Sequence, residues 1–147
     1  MLYSQKTTVT RFVFDRSQSK NDIAEVMISI LNMKNIKAIS YDPFEKFIYW
    51  IDSSKHYSIR RVYLNGTKAE LILHSNHNNF MPLDLVIDPY SRLLFWSCGN
   101  TNSINIFRLI GGPTNIGSIY KSSFDKPHLL GYHVGQKYAL FIYVFLN

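Results

Sequence analysis

Two stretches of the chain carry one order of apolar and polar positions. Ala38-Ile39-Ser40-Tyr41-Asp42-Pro43-Phe44-Glu45-Lys46-Phe47-Ile48-Tyr49-Trp50 is echoed by Asp84-Leu85-Val86-Ile87-Asp88-Pro89-Tyr90-Ser91-Arg92-Leu93-Leu94-Phe95-Trp96. Asp42, Pro43 and Trp50 return as Asp88, Pro89 and Trp96, each 46 positions on. Each stretch reads as two strands around a turn, because proline fixes φ and offers no N–H, which suits Asp-Pro to a break between strands. Phe47-Ile48-Tyr49-Trp50-Ile51 is rich in aromatic and β-branched residues, the composition of strands. It is apolar on both faces, where a half-exposed strand would alternate. It must therefore be covered on both sides, and Leu93-Leu94-Phe95-Trp96 repeats the demand.

A third strand follows in each unit. Ser58–Leu64 ends at Asn65-Gly66-Thr67 and Ser103–Leu109 ends at Ile110-Gly111-Gly112. Asn-Gly is a strong hairpin signal because both residues tolerate positive φ. Glu70-Leu71-Ile72-Leu73 then supplies a fourth strand. Four strands at a period in the mid-forties match a β-propeller blade, a sheet stacked face to face with its neighbours around an axis. The predicted fold is all-β, an incomplete propeller of antiparallel four-stranded blades. Phe47–Ile51 and Leu93–Trp96 are expected as equivalent inner strands, with Trp50 buried between neighbouring sheets.

The units divide the chain into full blades at residues 35–80 and 81–125, with partial blades on either side, together covering residues 1–131. Residues 132–147 read as a divergent tail in which Leu140-Phe141-Ile142-Tyr143 offers an extra strand. One segment stays open between two readings. Asp22 with Glu25 has the look of a capping box ahead of the apolar run Val26–Leu31, a helix signal; the repeat instead needs an outer strand around Val26–Ile30, and the strand is the reading adopted.

Tyr49-Trp50-Ile51-Asp52 resembles the YWTD signature of the six-bladed propellers in the low-density-lipoprotein receptor family. Leu2-Tyr3-Ser4-Gln5-Lys6, Ile39-Ser40-Tyr41-Asp42-Pro43, Tyr90-Ser91-Arg92, Phe95-Trp96-Ser97-Cys98 and Asn102-Ser103-Ile104-Asn105 look closer still to the fourth propeller of its Wnt co-receptor branch. The resemblance covers residues 1–131. Phe95-Trp96-Ser97-Cys98 departs from the signature in lacking its terminal Asp, and residues 132–147 match poorly. Six blades at this period need about 250 residues, so the chain looks like a fragment of such a propeller.

The resemblance implies a non-catalytic module on the extracellular side of a single-pass cell-surface receptor. Its partners would be secreted proteins, Wnts or their antagonists, and its membrane attachment would lie in parts of the receptor outside this chain. It also implies that Tyr49, Trp50, Ile51, Asp52, Phe95 and Trp96 are structural, with Asp52 helping to join blades. The rival readings are an endocytic or matrix YWTD protein with lipoprotein or laminin-type partners, a calcium-dependent six-bladed hydrolase, and an intracellular scaffold propeller. A central calcium site needs carboxylate and amide ligands from several blades, which apolar strand interiors do not supply.

Composition adds bounds. The chain has 147 residues, enough for a real core, and an aromatic share of 15%. No signal-peptide pattern is visible, and the longest apolar run, Tyr138–Leu146, is about half of a membrane span. Sixteen basic residues against 10 acidic give a net charge of +6. The densest basic group is Lys55, His56, Arg60 and Arg61. It lacks the motifs of nucleic-acid recognition and reads as a solvated hairpin, so no nucleic-acid partner is expected. Cys98 is the single cysteine, which excludes an intrachain disulfide; at the end of an apolar strand it reads as a buried thiol.

Candidate chemistry is sparse. His74 and His77 form a possible metal pair, but zinc needs three or four ligands and no others lie near in sequence; no metal or cofactor is expected. Asp42, Asp52 and Asp88 could be taken for a carboxylate cluster, but Asp42 and Asp88 sit where an aspartate bonds its own turn backbone, and no catalytic role is expected. No nucleophile elbow or phosphate-cradling glycine loop occurs, and Gly111-Gly112-Pro113 reads as a turn. Asn65-Gly66-Thr67 is an N-glycosylation sequon as well as a hairpin turn.

Overall fold

The structure is a computed structural model. It describes residues 2–5, 8–13, 23–26, 33, 35–74, 80–112, 114–121, 127–134 and 140–146. Every described regular element is a strand. Strands β1 (Leu2–Gln5), β2 (Thr8–Val13) and β3 (Ile23–Val26) form an antiparallel sheet in that order. The first full sheet runs β4 (Ile36–Asp42), β5 (Phe47–Asp52), β6 (Ser58–Tyr63), β7 (Glu70–His74). The second runs β8 (Pro82–Asp88), β9 (Leu93–Cys98), β10 (Ser103–Arg108), β11 (Thr114–Lys121). A last pair joins β12 (Pro127–Val134) to β13 (Leu140–Leu146), with Gly131 opposite Tyr143.

The repeat holds down to its irregularities. The β4–β5 ladder shifts between Ile36 and Ala38, and the β8–β9 ladder shifts between Pro82 and Asp84. Lys46 and Arg92, in the same slot of the two Asp-Pro turns, both have positive φ, 58° and 56°. The Lys46 carbonyl accepts from Leu64 N–H and the Arg92 carbonyl from Leu109 N–H, each at 2.9 Å. Ser53 N–H donates to the Asn35 carbonyl as Gly99 N–H donates to that of Met81. A Cβ on Gly99 would sit 3.0 Å from the Leu83 side chain, so the second sheet has glycine where the first has Ser53.

The doubly apolar strands are covered on both faces, as their pattern demands. Every residue of β5 is buried. Phe47, Tyr49 and Ile51 join Leu85 and Ile87 of β8, Leu94, Trp96 and Cys98 of β9, and Phe107 of β10 in one cluster between the two full sheets. On the other face Ile48 and Trp50 pack with Met33 and Val62, flanked by half-buried Ile36, Ile39, Tyr41 and Leu64. Trp50 is 2% exposed and Trp96 6%. Full burial of side chains this large contributes about 1.5–3 kcal/mol each.

The order of strands refines one expectation. β5 and β9 are interior, with partners on both edges, but the strands that line up from sheet to sheet are β4, β8 and β12. The Ser40 hydroxyl accepts from Ile87 N–H at 3.3 Å, and the Asp84 carboxylate accepts from Leu130 N–H at 2.7 Å, tying β4 to β8 and β8 to β12. The strand expected around Val26–Ile30 begins earlier, at Ile23, because Phe12 and Val13 of β2 pair with Ala24 and Ile23; sheet pairing overrides the local capping signal. Residues 27–32 lie outside the described residues.

Candidate binding surface

The two ends of the stacked sheets differ in chemistry. One end carries the Asp-Pro turns, Pro43–Lys46 and Pro89–Arg92, with the hairpin tips after β6 and β10. Asp42 is fully buried, and its Oδ1 accepts from the N–H groups of Phe44 and Glu45, at 3.1 and 3.4 Å. Asp88 does the same for Tyr90 and Ser91, at 3.0 and 3.1 Å. Arg92 then crosses between sheets. Its two terminal nitrogens donate to the two Asp42 oxygens at 2.8 and 2.7 Å, and Nη2 also lies 2.9 Å from Glu45 Oε1. The bond to Asp42 is the main reason the guanidinium pKa is raised.

Above this clamp the turns expose aromatic rings. Phe44 is 57% exposed and Tyr90 68%, and they meet edge to face at 5.5 Å. They fill one slot of the repeat, 46 positions apart. Ile110, at the tip after β10, is also exposed. Beside the first turn lies an open cleft of about 420 Å³, lined by Glu45, Lys46, Tyr63, Leu64 and Asn65. Its Tyr63 wall belongs to a column of stacked groups. Arg61 lies over Phe47 at 4.3 Å, Phe47 stacks on Tyr63 at 4.1 Å, and Lys68 lies 4.9 Å from the Tyr63 centroid. Burial pulls the Arg61 pKa down, but its bonds to Tyr49 and Glu70 outweigh this and leave it raised. Burial raises the Tyr49 hydroxyl pKa.

The other end holds the turns after β5 and β9. Asp52 accepts from Ser54 N–H at 2.9 Å and from the Ser54 hydroxyl, and lies 3.7 Å from Arg60 Nε. Among the described residues these contacts stay within one sheet. Asp42 accepts from Arg92 of the second sheet, and Asp84 accepts from Leu130 N–H of β12. The basic group Lys55, His56, Arg60 and Arg61 is divided. Lys55 and His56 are exposed in the turn, while Arg60 and Arg61 point to opposite faces of β6, toward Asp52 and Tyr49 respectively, as successive strand residues must.

The remaining candidates do not converge. Asp42 and Asp52 lie at opposite ends of the first sheet. His74 ends β7 and is exposed, and His77 and Pro113 are outside the described residues; among the described residues no three metal-ligating side chains come together. Cys98 is buried in the inter-sheet cluster. Asn65 is exposed at its hairpin tip, its Oδ1 accepting from the Thr67 N–H and hydroxyl at 3.0 and 2.7 Å. The Arg92 clamp and the Phe44–Tyr90 pair escaped the reading of the sequence. Their signal was the repeat itself, which sets like residues in slots 44/90 and 46/92.

Residues 46–89 match the family model described as low-density lipoprotein receptor repeat class B. Low-density lipoprotein receptor-related protein 5 of mouse is 34% identical and its human counterpart 35%, each over 144 residues. The alignments take in 96% of this chain and 8% of those proteins, so the chain spans a small fraction of the relatives it matches. A chain in the crystal structure of a nidogen/laminin complex superposes with a TM-score of 0.67 at 21% identity, over 88% of this chain and 47% of that one. That likeness concerns the fold.

Proposed function

We propose, from the match of residues 46–89 to the low-density lipoprotein receptor class B repeat, that the chain is part of a YWTD-type propeller, a non-catalytic module that binds secreted proteins at the cell surface in Wnt signalling. Its ligands in this reading are Wnts or their antagonists, met on the extracellular side of a single-pass receptor. The observation that carries it is the 34–35% identity with low-density lipoprotein receptor-related protein 5 along 96% of the chain. The geometry is consistent with binding. Buried, cross-braced sheets hold rigid turns, and loops on a rigid scaffold are where recognition groups collect. Residues 1–131, with full blades at 35–80 and 81–125, are proposed as its propeller part.

The test is direct capture. The chain is immobilised and exposed in turn to a purified secreted Wnt antagonist, a Wnt in detergent, and a laminin fragment. Saturable binding of the antagonist or the Wnt is expected. Binding of laminin alone would transfer the chain to the matrix reading, and binding of none would overturn the proposal.

A further inference from the structure

We infer that the Asp-Pro end of the two full blades is a docking surface for an acidic peptide segment carrying an aromatic or large aliphatic anchor. The inference deepens the protein-binding reading by naming a surface and the chemistry it accepts. The juxtaposition behind it is an exposed aromatic pair, Phe44 and Tyr90, beside an open cleft and among cations with no acidic partner among the described residues.

Three observations converge. First, exposed apolar groups scattered singly are ordinary, but a contiguous patch marks an interaction site. Here Phe44 and Tyr90 touch, each more than half exposed, and Ile110 stands on the hairpin tip beside the second turn. Aromatic residues are enriched in the cores of protein interfaces. Second, the surface is preorganised. Arg92 locks the first turn to the second through Asp42 and Glu45, and backbone bonds from Leu64 to Lys46 and from Leu109 to Arg92 fix each hairpin tip to its turn. Fixed geometry lowers the ordering cost of binding. Third, the charge is one-sided. Glu45 is held by Arg92 and Glu70 by Arg61. Lys46 lines the cleft, Arg108 is exposed at the end of β10, and neither has an acidic partner among the described residues. Lys68 lies over Tyr63 on the cleft wall. An acidic segment complements this rim, and the cleft admits one ring or branched side chain.

The test uses the unglycosylated full chain and a fluorescein-labelled peptide in which aspartates and glutamates flank one phenylalanine. Anisotropy should show saturable binding that weakens strongly between about 0.1 and about 1 M salt, where screening shortens from about 10 to about 3 Å. The double variant Lys46→Gln/Arg108→Gln and the double variant Phe44→Ala/Tyr90→Ala should each weaken it at least about tenfold, with thermal melts near the parent's. Lys37→Gln/Lys55→Gln removes the same charge at the other end and should leave affinity unchanged. Equal loss in that control would mean a diffuse response to net charge and would overturn the proposal. Full affinity for a peptide with alanine replacing the phenylalanine would overturn it as well. So would binding to vesicles of phosphatidylserine and phosphatidylcholine but not to the peptide, or self-association that Phe44→Ala/Tyr90→Ala abolishes. Capture of a secreted antagonist with parent affinity by both double variants would reject this surface while leaving the protein-binding function standing.

Discussion

Arg92 of the second full sheet grips Asp42 of the first across 50 residues of sequence, through two parallel hydrogen bonds of 2.8 and 2.7 Å. Asp42 is wholly buried and Arg92 nearly so, with side-chain exposures of 0% and 13%. Desolvating two charges offsets much of their attraction, so the pair is better evidence of a fixed arrangement than of large net stability. Removing Arg92 is a different matter, because it leaves the Asp42 carboxylate buried without its counter-ion.

Arg92→Gln should therefore lower stability by about 3–5 kcal/mol. Arg92→Lys should fall between variant and parent, since an ammonium keeps the charge but loses the two-pronged fit to the carboxylate. Urea melts of Arg92→Gln, Asp42→Asn and the double variant form the cycle. The double variant should cost clearly less than the sum of the singles. Strict additivity would mean that the pair does not couple the sheets.

Trp50 and Trp96 fill the same slot, one on the outward face of the first sheet, the other in the cluster between the two full sheets. Each Trp→Ala change should cost about 3–5 kcal/mol, the price of a buried aromatic and the cavity it leaves. Thermal melts decide it. A shift of only a degree or two in either variant would contradict the packing described for that face.

How far the sequence revealed this arrangement depends on whether the signal was local. Phe47–Ile51 announced a strand buried on both faces because both of its faces are apolar. Asn65-Gly66 announced its hairpin because few residues tolerate that backbone. Which strand lies beside the neighbouring sheet was not legible, since apolarity reports burial and not edge order. The role of Arg92 was not legible either, because its partner Asp42 stands in the preceding repeat. Lys55 to Arg61 looked like a basic cluster until strand alternation sent Arg60 and Arg61 to opposite faces. The aromatic slot 44/90 was visible in the repeat, but only the fold shows the two rings in contact.

Asp84 makes a pH prediction. Burial raises its pKa above the ordinary value of 3.8, against the opposing hydrogen bonds from the Leu130 and Leu85 N–H groups. A carboxyl with a raised folded-state pKa contributes stability that is fully present below its unfolded value and is lost as pH rises through the folded value. Relative to Asp84→Asn, the parent should therefore gain stability as pH falls from 7 toward about 4. Paired urea melts across that range measure the difference. A gap between parent and variant that is flat with pH, or that widens in the variant's favour on acidification, would refute the assignment.

Asn65 joins the sequon to the surface. It stands exposed at a tip where Gly66 takes φ of +83°, and its side-chain oxygen, not its amide nitrogen, is engaged by Thr67. Expressed in a secretory host, the chain should carry a glycan there. Endoglycosidase treatment should shift its mobility, and the shift should vanish in Asn65→Gln and Thr67→Ala but persist in Thr67→Ser, which keeps the sequon. No shift in the parent would leave Asn65 a turn residue alone. Asn65 also lines the cleft beside Lys46 and Tyr63, so a glycan at this atom would stand over the proposed docking surface. The glycosylated chain should accordingly bind the acidic peptide more weakly than the same chain after enzymatic removal of the sugar. Equal affinities would show that the sugar points away from the cleft or that the peptide does not use it, and parallel titrations of Lys46→Gln/Arg108→Gln would separate the two.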